Sequence, residues 1–287
     1  MLLTFLMVQR HDPFAISAVR AIPAAVGLAL LTGAAWIGRR NGSPRLVAGA
    51  TAFLQMTLFT VLGVVLAYAF AARAEPLWDA RLAAADRALG FDWLALHRAL
   101  DGWPVLIWVL GLAYHSLTVQ MIVVIVALSG AARFATLRVT VCAAILSGFV
   151  TILISALVPA MGNLVDPAGY RQLWPSIAWL ERGLIGGLRD GSLRTLDLTM
   201  LMGIVSFPSF HATLAAIFLW ALRATPRLTL VGQGWAVLTI LATPIFGGHY
   251  GVDVIVGLLL APPAIIAARR LTGGRAAVVA LTPPLPA

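Results

Sequence analysis

The chain of 287 residues contains no lysine, a single cysteine and few charged residues of either sign. Charged residues make up 11% of the sequence and apolar residues 61%, whereas a soluble domain carries about 25% charged residues. This composition excludes an ordinary soluble enzyme and a disordered chain. With one cysteine, Cys142, no disulfide can form within the chain. Because lysine is absent, all 20 basic residues are arginine, and against 11 acidic residues they give a formal charge of +9.

Apolar runs of about twenty residues recur along the sequence, and most are long enough to cross a hydrocarbon core about 30 Å thick. The runs cover residues 21–38, 48–72, 104–130, 137–160, 209–223, 229–248 and 250–268. Since backbone polar groups must be paired in lipid, they predict an all-α, polytopic transmembrane helical bundle of about six to seven spans, a single domain over residues 1–287. The basic excess then reflects membrane orientation, and no nucleic-acid partner is expected.

The arginines indicate which way the bundle faces. Arginine follows the first, third, fifth and seventh runs, which predicts that these ends lie in the cytoplasm. The connections 73–103 and 161–208 are balanced or slightly acidic, and the one at Gly247 and Gly248 has no basic residue. We therefore predict a multi-pass protein of the inner cell membrane in which these three connections share the extracytoplasmic side.

Two of these connections are too long to be simple turns. Segment 76–101 is too charged to span a membrane, yet its tryptophans and leucines recur near a helical period that is broken around Gly90. This pattern predicts a helix in the membrane interface, with a plain connector as the alternative. The connection 161–208, with Trp174 and Trp179, is of a length typical of functional loops and suggests a lid.

Two polar stretches stand at predicted outer ends of spans. They are Ser206–Ala212 (SFPSFHA), before the fifth span, and Gly247–Asp253 (GGHYGVD), before the seventh. Pro208 at the first helical position would leave the following amides free to bind an anion such as phosphate, with His211 in the first turn. His249 and Asp253 are four residues apart and share one helix face.

The predicted topology lets the two histidines face one another across a pocket. A histidine held by aspartate is an oriented nucleophile, and a second histidine can protonate a leaving group in phosphoryl transfer. The structural alternatives are a His249–Asp253 hydrogen bond that only joins helices and a His211 that only caps a helix.

Three sequence features resemble the type 2 phosphatidic acid phosphatase superfamily. Pro208–His211 (PSFH) is similar to the second signature of that family, and His249 followed by Asp253 resembles the end of its third. Gly-His-Tyr followed by Val-Asp-Val is closer to the branch of inositol phosphorylceramide synthases and related bacterial membrane proteins, and sphingomyelin synthases are similar there. Glu75–Trp93 also resembles a segment of the bacterial members, so the resemblance covers about residues 75–260.

This resemblance implies that His249 is the nucleophile that becomes phosphohistidine, that Asp253 orients it and that His211 is the general acid. It implies neither a metal nor another cofactor. The family's first signature ends in Arg-Pro, a pair absent from this chain, and Ala242-Thr243 stands where the third signature begins with Ser-Arg. These departures disfavour a generic phosphatidate phosphatase and favour the transferase-like branch.

The phosphate cradle must then use other residues. Phe210 replaces the usual glycine of the second signature, and with Ser209 it begins the helix whose amides are expected to bind phosphate. Arg171, Arg189 and Arg194 are the arginines that could complete the cradle.

A further polar group lies inside the third span, at Tyr114, His115 and Gln120. Hydrogen bonds between helices are the ordinary reason for such residues, and lining a pocket for the acceptor or headgroup is the alternative. At about ten residues into the span, Tyr114 and His115 are expected to lie too deep for direct chemistry.

The sequence therefore predicts a membrane enzyme of lipid metabolism, an inositol phosphorylceramide synthase-like phosphotransferase. Its partners would be a lipid phosphoester donor, an alcohol acceptor and the surrounding membrane lipids. With water as acceptor the protein would be a hydrolase, a lipid phosphate phosphatase. A transporter or non-catalytic lipid-binding bundle is the remote alternative, because transporters place their sites near the midplane, often in repeated halves, and no repeat is evident here.

Overall fold

The computed structural model describes residues 15–193, 195–199, 202–226 and 228–280, and most of them are α-helical. In chain order the helices are α1 (Ala18–Arg40), α2 (Pro44–Ala71), α3 (Asp79–Ala88), α4 (Trp93–Leu100), α5 (Pro104–His115), α6 (Leu117–Gly130), α7 (Phe134–Leu157), α8 (Ile177–Asp190), α9 (Phe210–Ala221), α10 (Thr229–Phe246) and α11 (Gly251–Ala280). Short 3₁₀ turns occur at Pro167–Gly169 and Leu222–Ala224, and strands β1 (Ala15–Ile16) and β2 (Thr195–Leu196) pair in parallel. This architecture confirms the predicted all-α polytopic bundle.

Within the described residues, helices α1, α2, α7, α10 and α11 are each long and apolar enough to cross a membrane. Helices α5 and α6 together pass the same test as one bent span, and α9 with its 3₁₀ turn is a shorter apolar helix. The helix starts agree with the predicted runs to within a few residues. Large apolar side chains are exposed along the outside of the bundle, for example Val19, Ile22, Val26 and Leu30 on α1. Lipid accounts for this exposure, which a soluble monomer would avoid.

The third predicted span, 104–130, is broken rather than continuous, because the chain bends by 59° between α5 and α6. Ser116 lies at the break, and its hydroxyl accepts hydrogen bonds from the Gln120 amide (3.2 Å) and the Trp235 indole (2.9 Å). Gln120 also donates to the Thr239 hydroxyl (2.8 Å). These side chains join the break to α10, and polar side chains inserted at a helix break are a recognised cause of kinks.

The three connections predicted to share one side of the membrane meet at one end of the bundle, which we call the site end. The Asp79 carboxylate accepts hydrogen bonds from the Gly162 amide (3.0 Å) and the Tyr250 hydroxyl (3.2 Å). The Ala178 amide donates to the Gly247 carbonyl (3.2 Å). Which face of the membrane the site end occupies stays a prediction from the arginine distribution.

The largest buried apolar cluster joins α2, α6, α7 and α9. Phe218 of α9 is almost completely buried in it. The Phe59 ring of α2 lies directly against Gly148 of α7, where any Cβ atom would overlap the ring. This cluster packs against α9, the helix that carries His211, and so helps to hold that helix in place.

Candidate active site

His249 lies two residues before α11, and Asp253 lies in the first turn of that helix. The Asp253 side chain is fully buried, and its Oδ2 accepts hydrogen bonds from the Ser206 hydroxyl and the Tyr250 amide, both at 3.0 Å. Nδ1 of His249 is 3.4 Å from the same oxygen. A buried carboxylate is costly unless it is paired, so these contacts fix Asp253. Because Nδ1 of His249 faces Asp253, Nε2 lies on the opposite side of the ring.

His211 is the second residue of α9 and lies beside His249. Its ring stacks on Tyr114, with ring centres 4.5 Å apart and planes 13° from parallel. The ring centres of His211 and His249 are 6.4 Å apart. The two polar stretches recognised in the sequence therefore meet in one place.

Helices α9 and α11 are bonded directly to one another beside the histidines. The Ser209 amide donates to the Asp253 carbonyl (3.0 Å), and the Thr213 hydroxyl donates to the Gly257 carbonyl (2.8 Å). A Cβ atom at Gly257 would overlap the Ser209 carbonyl, so only glycine allows this approach. The separation of the two histidines follows from these contacts.

Ser209 and Phe210, predicted to bind phosphate, begin the helix that carries His211. The fully buried Ser209 is the N-cap, and its hydroxyl accepts a hydrogen bond from the Ala212 amide (3.3 Å). Pro208 therefore precedes the helix and does not occupy its first position, which corrects the sequence expectation. The first amides of a helix have no intrahelical acceptor, so the backbone at Phe210 and His211 can donate to an anion. Phosphate binding here stays a prediction, and it depends on the backbone.

The predicted phosphate-binding arginines lie at different distances from this site. Arg189 donates to the Glu75 carbonyl (2.8 Å) and lines a cavity of about 40 Å³ together with Ser206, which bonds Asp253. Arg171 has an exposed side chain, and its amide donates to Asp101 (2.9 Å). Arg194 lies outside the described residues. Of the two described arginines, Arg189 shares a small cavity with a residue that contacts Asp253, and phosphate binding by either arginine stays a prediction.

A larger cavity of about 380 Å³ opens beside His211. Its lining is mainly apolar and includes Tyr114, His115 and Glu181. Tyr114 and His115 end α5 at the break, which explains how residues from the middle of a span reach the site. Tyr114 and His115 therefore lie beside His211 despite their place in the middle of the span, and whether they take part in the chemistry stays a prediction. Gln120 lies beyond the break and bonds α10 as described above.

Glu181 on α8 is a buried acid that was not recognised from the sequence. Glu181 is 4% exposed, and burial raises the pKa of its carboxyl to about 8, so the group is mainly neutral at pH 7. The sequence carried a signal for this position. Ala178, Glu181, Ile185 and Leu188 recur at helical spacing and are all buried, which places Glu181 on the apolar face.

Two imidazoles at this separation can hold a phosphoryl group between them. Attack needs about 3–3.5 Å between the nucleophile and phosphorus, and proton donation needs about 2.6–3.2 Å to the leaving oxygen. The leaving oxygen lies one P–O bond beyond phosphorus, so the nucleophile and the acid must lie on either side of the phosphoryl group, several ångströms apart. The ring centres of His211 and His249 are 6.4 Å apart, and this spacing is compatible with nucleophilic displacement with acid assistance.

A sequence model of the PAP2 superfamily matches residues 80–267, well over half of the chain. The match includes His211, His249 and Asp253, together with all but the first residue of α3 and the whole of α4. No curated protein and no solved structure matches the chain. The chain therefore belongs to the PAP2 superfamily, whose members are phosphatases and phosphotransferases.

Proposed function

We propose that this membrane protein is an inositol phosphorylceramide synthase-like lipid phosphotransferase that moves a phosphate or phosphorylated headgroup from a lipid donor to an alcohol through a phosphohistidine. One observation carries the proposal: the ring centre of His211 lies 6.4 Å from that of His249, whose Nδ1 faces the buried Asp253. Membership of the superfamily supports phosphatase or phosphotransferase chemistry on lipid phosphoesters.

In the first step, Nε2 of His249 attacks the phosphorus of the donor. The P–O bond to the leaving group breaks, its electron pair stays on the oxygen, and that oxygen takes a proton from His211. The Nδ1 proton of His249 faces Asp253, which stabilises the positive charge that develops on the ring. The amides at the start of α9 and the Arg189 guanidinium are assigned to the phosphate oxygens.

In the second step, His211 takes the proton of the acceptor hydroxyl. The acceptor oxygen attacks the phosphorus, and the P–N bond of phosphohistidine breaks. The mainly apolar cavity beside His211 supports a lipid substrate, since transfer of a hydrocarbon chain from water to such a lining lowers the free energy. Water in the second step would make the same residues a lipid phosphate phosphatase.

The test uses purified protein and radiolabelled lipid phosphoesters, with and without candidate alcohols. Free phosphate and headgroup-exchanged lipid are measured side by side. His249→Ala should abolish turnover and leave no acid-labile phosphoprotein. His211→Ala should slow ordinary lipids severely, yet a nitrophenyl phosphoester should partly restore its rate because that leaving group needs no proton.

A matched histidine controls for structural effects of these substitutions. His97 and His249 are each 5% exposed, and the His97 ring bonds the backbone carbonyl of Trp93 on α4 (2.7 Å) rather than a side chain of the proposed catalytic pair. His97→Ala should therefore retain most of the turnover. Near-normal turnover of His249→Ala would refute the nucleophile assignment. Rescue of His249→Ala but not of His211→Ala by the activated substrate would exchange the two roles.

A further inference from the structure

The first turn of α11 is held by a carboxylate from a distant part of the chain. Asp86, at the end of α3, is only 1% exposed. Its carboxylate accepts hydrogen bonds from the amides of Gly251 (2.7 Å) and Val252 (2.8 Å) and from the Trp93 indole (2.6 Å). These three donors account for its burial, since a buried charge must be bonded.

Aromatic residues complete this contact. The Phe91 ring lies so close to Gly251 that a Cβ atom there would overlap it, and the ring stacks on Trp93 with centres 5.2 Å apart. Gly90 has a φ of +83°, a conformation that glycine adopts without strain, and it turns the chain back between α3 and α4. We call Asp86, Gly90, Phe91 and Trp93 the clasp.

Asp86 of the clasp provides a negative charge at the start of α11. The first amides of a helix are unpaired and carry the positive end of the helix dipole, so they attract an anion. At α11 the Asp86 carboxylate takes the place of that anion, so these two amides are not free to bind a substrate phosphate. The bonded amides, at Gly251 and Val252, lie between His249 and Asp253 in the chain.

We propose that Asp86 is a positioning residue for the nucleophile: by fixing the first turn of α11 it fixes the orientation of His249 and Asp253 towards the phosphate. This role goes beyond the interfacial helix or connector expected for segment 76–101. It also explains why a charged residue in an outer connection is buried against a helix that begins 165 positions later.

Four variants of the full-length protein test the clasp. Asp86→Asn removes the charge and turns an N–H group towards a donor, whereas Asp86→Glu keeps a carboxylate. Trp93→Phe removes only the indole N–H. Asp92→Asn is the matched control, because Asp92 makes an exposed cap on the Ala95 amide (2.9 Å), where asparagine serves equally well.

The first measurement is the rate of phosphohistidine formation in a single turnover, corrected for folded fraction, together with the KM for the lipid donor. This measurement rests on the function proposed above. Asp86→Asn should lower the rate about 10- to 100-fold, as loss of a residue that orients a reactive group does. The KM should change little, because the cavity beside His211 does not include the clasp. Asp86→Glu should recover part of the rate, and Trp93→Phe should lose less than Asp86→Asn.

The second measurement is backbone amide hydrogen exchange over residues 247–255, which needs no turnover. Asp86→Asn should exchange about tenfold faster there, because two amides lose their acceptor. Asp92→Asn should exchange like the parent protein.

The outcomes separate the two proposals. Absence of phosphohistidine in the parent protein would overturn the proposed function, and hydrogen exchange alone would then decide whether the clasp holds α11. If Asp86→Asn shows the same hydrogen exchange and the same phosphorylation rate as Asp92→Asn, the role of Asp86 is overturned. If Asp86→Asn does not fold, Trp93→Phe takes its place, and unchanged exchange and rate in that variant would overturn the role equally. A raised KM with an unchanged phosphorylation rate would also overturn it, because positioning of the nucleophile acts on the rate.

Discussion

Alanine at Gly257 should force apart the two helices that carry the histidines. The new Cβ atom would overlap the Ser209 carbonyl, which is backbone and cannot rotate away. To restore an ordinary van der Waals contact, α9 and α11 must separate by about 1 Å. The hydrogen bond from Thr213 to the Gly257 carbonyl, 2.8 Å long, then breaks.

The expected loss of stability is the sum of three effects. Overpacking a well-packed contact costs about 1–3 kcal/mol, and the lost hydrogen bond costs about 0.5–1.5 kcal/mol. Alanine's better helix propensity returns about 0.5–1 kcal/mol. The free energy of unfolding should therefore fall by about 2 kcal/mol. Activity should fall further, roughly 100-fold, because a displacement of about 1 Å at a reacting group has that effect.

The matched control is Gly33→Ala on α1, where an added Cβ atom meets nothing within 4 Å. It should raise stability slightly and leave turnover unchanged. Both variants are compared by denaturant titration in mixed micelles and by lipid turnover. Thr213→Val, which removes the hydroxyl that donates to the Gly257 and Ser209 carbonyls and adds no atom at residue 257, should lose about 1 kcal/mol. If Gly257→Ala and Gly33→Ala behave alike in both assays, the argument from close helix approach is refuted.

Three further predictions follow from other features. Burial raises the pKa of Glu181 from 4.5 to about 8, so between these pH values the folded state holds a proton that the unfolded state has lost, and the free energy of unfolding should fall as pH rises across that interval. Glu181→Gln should remove this fall in denaturant titrations, and a pH profile like that of the parent protein would contradict the burial argument. Turnover should survive exhaustive chelation, since the free amides at the start of α9 and the His249–Asp253 pair can serve the proposed reaction without an ion; loss of activity with recovery on adding zinc would overturn the phosphohistidine scheme. In a Cys142→Ala background, an impermeant thiol reagent should label Asp190→Cys from outside the inner membrane and Arg133→Cys only after lysis, and the reverse pattern would invert the predicted topology.

Hydropathy and local spacing predicted the parts of the molecule that depend on near neighbours in sequence. The helix starts follow from apolar runs, because lipid requires each span to bond its own backbone. The approach of His249 to Asp253 follows from their i, i+4 spacing. The cap at Ser209 was missed, because Pro208 was expected at the first helical position. The catalytic roles assigned to these residues remain predictions for the experiments above.

Features set by distant partners were not predictable in this way. No proline or glycine marks the break at Ser116 in the sequence. The geometry of the break depends on a bond to Trp235 of α10, which lies far along the chain. The charge of Asp86 showed only that its segment is not a span, since its acceptor role depends on amides far along the chain. Glu181 was the exception, because its place on the apolar face of α8 could be read from helical spacing.

The bonds that join Asp79 to Tyr250 and Asp86 to Gly251 connect residues 171 and 165 positions apart. During synthesis these aspartates leave the ribosome long before their partners, so the nascent chain must carry them without those partners through the insertion of several helices. Contacts of such separation form late in folding. His249, the proposed nucleophile, would therefore be oriented only once α11 has docked, and an unfinished chain in the membrane would not yet react with the lipids around it.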